Sequence, residues 1–179
     1  MAVTINGNGT ISGITAGLTA SSMPAGSILQ VKGAFLKEPW DTTSTSYTDI
    51  TGLSVDITMT SASNQVVVMF SVDVSNGGAG SGHRTCRVGV VRGTTNLLGT
   101  SPVSNRLRGW QLGNFGDENV GESASCQFID TPGTGTHTYK LQLAAQSNTG
   151  YVNRSGSDAD NATYGYRSGS SIVVMEVAV

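Results

Sequence analysis

Charged side chains are scarce in this chain. Of its 179 residues only 12% are Asp, Glu, Lys or Arg, about half of the ~25% that is usual in globular proteins. The formal net charge is -2, and the basic residues form no cluster. Because neutralisation of phosphates by Lys and Arg provides most non-specific affinity for nucleic acids, we expect no nucleic-acid partner.

Long apolar runs are also lacking. No window approaches the ~18 consecutive apolar residues of a membrane-spanning helix. The first residues, Met-Ala-Val-Thr-Ile-Asn, have neither the basic start nor the apolar stretch of a secretory signal. We therefore expect neither membrane insertion nor Sec-dependent export.

Cysteine is limited to Cys86 and Cys126. Two thiols in a chain of this size do not make a disulfide framework. Each lies in a strand-like alternation, and we interpret both as core thiols, since free cysteine is among the most buried residue types. A bridge across adjacent strands stays open if the folded distances allow it.

Histidine is limited to His83 and His137, and neither lies in a recognisable catalytic motif. No Gly-x-Ser-x-Gly sequence in a strand-to-helix context provides a nucleophile either. The glycine-rich residues 77–82 are not followed by Lys-Ser/Thr, so we interpret them as a hairpin tip and not as a phosphate cradle. The prediction is a protein that is not an enzyme.

Acidic residues offer two alternatives. Asp117, Glu118 and Glu122 form the one acidic cluster, and a pair of carboxylates is what glycoside hydrolysis requires. Acidic residues among Gly and Asn more often mark a solvated loop, which we favour here. Asp158 and Asp160 alternate as Ca²⁺ ligands can, but they lack the glycine and the distal glutamate of an EF-hand. We predict no metal and no cofactor, with calcium as the alternative.

The chain is rich in glycine, with 24 residues, and its apolar residues gather in short runs bounded by Gly, Asn, Asp and Ser. This pattern predicts an all-β fold, an antiparallel jelly-roll or β-sandwich of about 8–10 strands. The predicted strands are 27–35, 46–50, 53–58, 65–74, 85–92, 106–112, 122–129, 136–145, 162–166 and 170–179. Two of the runs, 66–70 and 172–175, are continuously apolar, which indicates burial on both faces, either centrally or against a neighbouring subunit.

The N-terminal segment has a different composition. Residues 1–26 contain two short β-type runs and a polar linker, too little apolar surface for a core. We predict an extended arm over 1–26 and a jelly-roll domain over 27–179. The arm needs a partner surface, and its contacts are expected from five apolar side chains, Val3, Ile5, Ile11, Ile14 and Leu18.

Aromatic residues near segments rich in Gly and Asn are candidates for a binding surface, because flat rings beside amides and hydroxyls suit both sugars and protein partners. They are Trp110, Phe115, Tyr151, Tyr164 and Tyr166. We favour the more ordinary alternative that Trp110, Tyr164 and Tyr166 belong to the core or to a subunit interface.

Five blocks, in order along the chain, carry a resemblance to a known family. They are MPAGSILQV at 23–31, STSYTDITGLSVDI at 44–57, SASNQVVV at 61–68, VVRGT at 90–94 and SIVVMEV at 171–177. Together they resemble the fibre-type C-terminal jelly-roll domain of virion surface proteins from tailed bacteriophages, those of marine and cyanobacterial phages in particular. A C1q-like or lectin-like module shares the expected fold but lacks these blocks.

The resemblance implies a trimeric jelly-roll on the virion surface, made in the host cytoplasm and anchored through its N-terminal arm. It names a role, capsid decoration or head fibre, and partners, namely two further copies of the chain and other capsid or tail proteins. A tail-fibre tip that contacts a host surface glycan is the alternative, and a polysaccharide depolymerase is a further one. The resemblance carries over no catalytic residue.

Overall fold

The structure is a computed structural model that describes residues 4–5, 11–12, 19–78, 85–99, 105–106, 108–113 and 117–179. Within these residues it contains β-strands, turns and a single short 3-10 helix at Ala20–Ser22, and no α-helix. No helix in this part of the chain is long and apolar enough to cross a membrane. The predicted all-β fold is confirmed.

The described part of the chain contains thirteen strands, which make up two large antiparallel sheets and a separate two-stranded ladder. In chain order they are β1 (Thr4–Ile5), β2 (Ile11–Ser12), β3 (Ile28–Leu36), β4 (Trp40–Thr42), β5 (Thr48–Met59), β6 (Gln65–Gly77), β7 (Cys86–Arg92), β8 (Thr95–Asn96), β9 (Trp110–Leu112), β10 (Gly121–Asp130), β11 (Gly135–Ala145), β12 (Thr149–Val152) and β13 (Ser170–Val177).

The first sheet is organised around β6. Strand β10 pairs with β6 along one side, and β13 and then β12 pair with the other side. Strand β3 lies beyond β13, and β4 lies beyond β12. In the second sheet β11 lies between β5 and β7, and the short strands β8 and β9 pair with the far side of β7. The two sheets are consistent with a β-sandwich of the jelly-roll type.

The core lies between the sheets and follows the period-2 alternation of their strands. Strand β5 contributes every second residue from Leu53 to Met59, and β11 contributes Tyr139, Leu141 and Leu143, as the sequence pattern predicts. Each fully buried side chain of this size contributes about 1.5–3 kcal/mol of burial free energy. From the first sheet β6, β13 and β12 add Val66, Val68, Phe70, Val72, Val74, Ile172, Val174 and Val152.

Several predicted strand boundaries are wrong. Residues 48–50 of the first predicted strand and residues 53–58 of the second belong to the single strand β5. The chain continues through Gly52, which adopts a φ of +92° where the pairing with β11 shifts between Lys140 and Gln142. A glycine at a β-bulge bends a strand without ending it. The short strands β4, β8 and β12 were missed, because two to four residues carry too little periodicity to detect.

The predicted strand 162–166 is also wrong. These residues form a loop in which the Asn161 side chain accepts a hydrogen bond from the amide of Thr163, 2.8 Å, and the Asn161 carbonyl accepts one from Gly165, 2.7 Å. Asparagine favours such local turns over sheet pairing. The predicted strand 106–112 shortens to β9, since the described residues before Trp110 are not in a strand.

The two continuously apolar runs alternate in burial. Val68 and Val174 point into the core, whereas Met69 and Val173 beside them lie on the outer face of the first sheet. Burial on both faces within the chain is therefore wrong, and contact with a neighbouring subunit stays a prediction. The outward residues of these two runs give the first sheet an apolar outer face.

The two cysteines lie on different sheets and are free. Cys86 on β7 is fully buried, so its interpretation as a core thiol is confirmed, and burial raises its pKa. Cys126 lies on the border strand β10, where it is half buried and packs against the core, so it lies at the margin of the core. Cys86 and Cys126 therefore form no disulfide bridge with each other.

Glu176, near the end of β13, is a fully buried carboxylate that bonds to β3 and to the turn between β5 and β6. Its Oε1 accepts hydrogen bonds from the Thr60 amide, 2.8 Å, the Thr60 hydroxyl, 2.8 Å, and Asn64 Nδ2, 2.7 Å. Its Oε2 accepts one from Gln30 Nε2, 2.6 Å. Burial alone would raise the pKa of Glu176, but these donors outweigh it and hold the pKa below its usual value. The β5–β6 turn, β3 and β13 are thereby locked together.

Candidate interaction surface

The outer face of the first sheet is apolar across four neighbouring strands, β3, β13, β6 and β10. Directly opposite residues of antiparallel strands point to the same face, so the register defines three rows. They are Val31, Met175, Val67 and Ile129; Gly33, Val173, Met69 and Gln127; and Phe35, Ser171, Ser71 and Ser125. We call these twelve residues the apolar face. None of them carries a charge.

The apolar face is exposed most at its two borders. Ile129 on β10 is 62% exposed, and Phe35 and Val31 on β3 are 61% and 56% exposed. Between the borders lies a shallow depression of about 450 Å³, lined by Met69, Ser71, Ser125, Gln127, Ser171 and Val173 among others. An exposed apolar patch on a soluble protein often marks a site of interaction.

The outer face of the second sheet has the opposite character. Along the paired strands β5 and β11 it presents Asp49, Ser54, Asp56, Thr58, Thr136, Thr138, Lys140 and Gln142, which we call the polar face. Lys140 Nζ lies 2.5 Å from Asp49 Oδ2, and Gln142 Nε2 donates to Asp49 Oδ1 at 2.6 Å. The hydrogen bonds from Lys140 and Gln142 lower the pKa of Asp49. These side chains satisfy one another at the water boundary.

The described candidate aromatic residues lie on different elements of the fold. Trp110 is 44% exposed on β9 of the second sheet, and Tyr164 is 47% exposed in the loop before β13. The ring of Tyr151 lies under the Arg154 guanidinium, 3.8 Å from its Cζ to the ring centroid. Phe115 lies outside the described residues. The structure therefore leaves Trp110 and Tyr164 as separate exposed rings.

Tyr166 has a structural partner. Its hydroxyl donates to Asp73 Oδ1 at 3.0 Å, and Ser123 contributes a second, longer hydrogen bond to Asp73 Oδ2, 3.4 Å. Burial raises the pKa of Asp73 more than these hydrogen bonds lower it, and burial together with the Asp73 charge raises the pKa of Tyr166. Tyr166 ties the loop before β13 to the first sheet.

Of the two candidate calcium ligands, Asp158 is already paired, and Asp160 lies beside it in the same loop. Asp158 lies 2.5 Å from Arg154 Nη1 and also contacts Arg167 Nη1, and the hydrogen bond from Arg167 is the main cause of its lowered pKa. Two guanidinium groups neutralise the charge that would attract a cation. Within the described ranges no group of three or more His, Cys, Asp and Glu side chains could hold a metal ion.

The acidic cluster serves the local backbone. Asp117 Oδ1 accepts hydrogen bonds from the amide of Asn119, 2.9 Å, and from its side chain, 2.8 Å. Glu122 Oε2 accepts one from the Gly113 amide, 2.9 Å, and the Glu118 carbonyl accepts one from Ser157, 3.1 Å. These contacts are those of a solvated loop.

The remaining candidates lie at turns or outside the described residues. His137 Nε2 lies 3.1 Å from the Thr134 carbonyl in the turn before β11, and His83 is outside the described residues. Of the five arm residues, Ile5 and Ile11 face each other in the pairing of β1 with β2. Val3, Ile14 and Leu18 lie outside the described residues.

No protein-family model matches the chain, and no curated protein matches its sequence.

The sequence reasoning missed the apolar face as a surface. Its signal was present in the runs 66–70 and 172–175, but the runs do not reveal which strands lie beside them. The contributions of Val31, Phe35 and Ile129 depend on the pairing of β3 with β13 and of β10 with β6.

Proposed function

We propose that this chain is a non-enzymatic structural protein of a tailed-phage virion, a homotrimeric jelly-roll displayed on the particle surface and anchored by its arm, residues 1–26. Capsid decoration or head fibre is the role we favour. The single observation that carries the proposal is the uncharged apolar face across four strands. A surface of this kind favours lasting protein contacts, which a virion component requires.

Three further features support the proposal. The five sequence blocks resemble phage fibre domains, and they extend over strands of both sheets. Turn and loop contacts occupy the acidic cluster of Asp117, Glu118 and Glu122 and the ring of His137. The rest of the surface is rich in hydroxyls and poor in charge, which suits a module that is exposed to the medium while one face is covered.

Deletion of residues 1–25 tests the anchoring role of the arm. We expect the shortened protein to fold and to keep its oligomeric state. It should be missing from particles when the infecting phage carries only the shortened gene. Mass spectrometry of purified particles measures incorporation, and circular dichroism of the purified variant measures folding. Full occupancy of the deletion variant on particles would contradict the anchoring role.

A receptor-binding tip is the second candidate, and the exposure of Trp110 and Tyr164 favours it. Exposed aromatic rings stack on the apolar faces of sugars. If the protein binds a host surface glycan, Trp110→Ala should weaken adsorption of particles to host cells at least tenfold without reducing the protein's occupancy. Unchanged adsorption of both Trp110→Ala and Tyr164→Ala particles would rule this candidate out.

A further inference from the structure

We infer that the apolar face is the subunit interface and that three copies turn this face toward a common axis, with their strands running along it. The inference rests on the proposed function for the homotrimer and adds which surface forms it. Its partner is a second and a third copy of this chain.

Charge favours a copy of the same chain as the occupant. The twelve residues of the apolar face include no charged side chain, so identical faces approach one another without repulsion. The face offers no ionic partner to an acidic or basic protein. The polar face, by contrast, would bring Asp49, Asp56 and Lys140 of each copy into a dehydrated contact, which is costly.

Area and edges favour three copies over two. Four strands at ~4.8 Å spacing and five residues at ~3.3 Å each give a flat area on the order of 300 Å². Two faces packed directly together would bury little more than this per copy, less than half of the ~800 Å² per partner in a standard interface. Three copies in a ring also bury the outer sides of the two border strands, β3 and β10.

The border strands decide the arrangement. Within the described residues, β3 and β10 each pair with a neighbour on one side only. They carry the most exposed side chains of the face, Val31, Phe35 and Ile129. Exposed apolar edges are aggregation hazards unless they are covered. A closed ring places β3 of one copy beside β10 of the next and covers both borders, whereas direct face-to-face packing of two copies covers neither.

The dimensions suit this ring. Three faces of four strands enclose a triangular prism whose axis lies roughly 6 Å from each sheet, close to half of the ~10 Å that separates packed sheets. Met69 and Met175 lie on the two central strands and point toward the axis. Methionine is long and adaptable and fills irregular gaps in apolar cores.

Paired cysteines at the two borders provide a direct test. Val31 and Ile129 share a row but lie at opposite borders, about 14 Å apart across three strand spacings. A disulfide between them within one chain is excluded, because bridged Cα atoms lie within ~7 Å. In the ring, however, Val31 of one copy lies at the same height as Ile129 of the next.

We therefore expect the double variant Val31→Cys/Ile129→Cys, in a Cys126→Ser background, to form covalent trimers on mild oxidation. Non-reducing electrophoresis measures the product. Each single variant in the same background should stay a monomer on the gel. Dimers from Ile129→Cys alone, or no cross-linking of the double variant, would overturn the inference.

A charge placed on the face gives a second, independent measurement. Met69→Lys should lower the mass measured by light scattering threefold, from trimer to monomer. Thr138→Lys, on the central strand of the polar face, is the matched control and should stay trimeric. Thermal unfolding shows that both variants are folded, and Ile129→Lys at the exposed border replaces Met69→Lys if that variant does not fold. A trimeric Met69→Lys protein, or a wild-type protein that is not a trimer, would overturn the inference.

Particle incorporation separates this inference from the proposed function. A monomeric or dimeric wild-type protein that still decorates particles would overturn the trimer interface and leave the virion role standing. A protein that forms a trimer through the apolar face but is absent from particles would support the trimer interface and overturn the virion role.

Discussion

The two outer faces of the sandwich differ although both sheets contribute equally regular rows to one core. On the polar face the outward positions of β5 and β11 are Asp, Ser, Thr, Lys and Gln, and several of them bond to one another. On the apolar face the outward positions of β13 and β6 are Val, Met and Ser. The inward pattern is what makes the fold, whereas the outward pattern reflects the surroundings of each sheet after folding. We infer water beside the polar face and further copies of the chain beside the apolar face.

A substitution in the core should have the largest effect on the free energy of unfolding. Ile172 and Val173 are neighbours on β13, the first fully buried in the core and the second on the apolar face. Ile172→Ala should cost about 2–5 kcal/mol of unfolding free energy, because it leaves a cavity in a packed core.

Val173→Ala in dilute, dissociated protein should cost less than ~1 kcal/mol. Urea unfolding at two protein concentrations measures both values, since an effect of association depends on concentration. Equal losses in dissociated protein would mean that the apolar face is packed within the single chain.

Glu176 gives the next effect, because it lies at the end of β13 where the sheet meets the β5–β6 turn. Glu176→Gln keeps the shape but places an amide against the donors of Gln30, Thr60 and Asn64, so we expect a loss of about 1–3 kcal/mol. Glu38→Gln, on an exposed residue, is the control and should change stability by less than ~0.5 kcal/mol. Chemical denaturation at pH 7 compares them.

Acid should remove the advantage of Glu176 over glutamine. Its folded-state pKa is lower than that of the unfolded chain, which is about 4.3. Its stabilisation is therefore complete above that value and is lost as the pH falls through the folded-state pKa. Denaturation midpoints of wild type and Glu176→Gln from pH 6 to pH 2.5 should converge in acid. A constant difference over this range would show that the carboxylate charge contributes nothing.

The polar face should give the smallest effect. The pair of Lys140 and Asp49 is partly exposed, with side chains 29% and 44% accessible, and such pairs contribute about 0.2–1 kcal/mol. A double-mutant cycle with Lys140→Gln and Asp49→Asn should give a coupling in this range that shrinks in 1 M salt. A coupling above ~2 kcal/mol would show that the polar face is shielded from water.

Much of the strand pattern could be predicted from alternating residues, and its failures have local causes. Strand β11 is recovered almost to the residue because eleven alternating residues leave little ambiguity. Gly52 was taken as the end of a strand because a bulge and a turn use the same residue. Residues 162–166 contain tyrosines typical of strands, but the side chain of Asn161 closes a turn there.

The candidate site was harder to predict than the fold. Trp110 and Tyr164 were named as candidate binding residues, but the favoured alternative placed them in the core or at a subunit interface. Both rings are exposed in the single chain, so burial in its core is wrong for them. The apolar face is a property of four strands, which are joined by three pairings between residues far apart in the sequence. Glu176 looked like an ordinary polar residue at the end of a strand, since nothing in its neighbourhood indicates that Thr60 and Asn64 approach it.

The sequence by itself determined that this protein is an all-β sandwich with little charge, because period-2 alternation and turn residues act over a few residues. Only the tertiary structure decided which outward rows lie side by side. Strand order and register are set by contacts between residues up to 149 positions apart, such as Ile28 with Val177 in the pairing of β3 with β13. A surface of apolar and a surface of polar residues therefore become distinct only after the strands have paired, since each strand contributes only three or four side chains to either one.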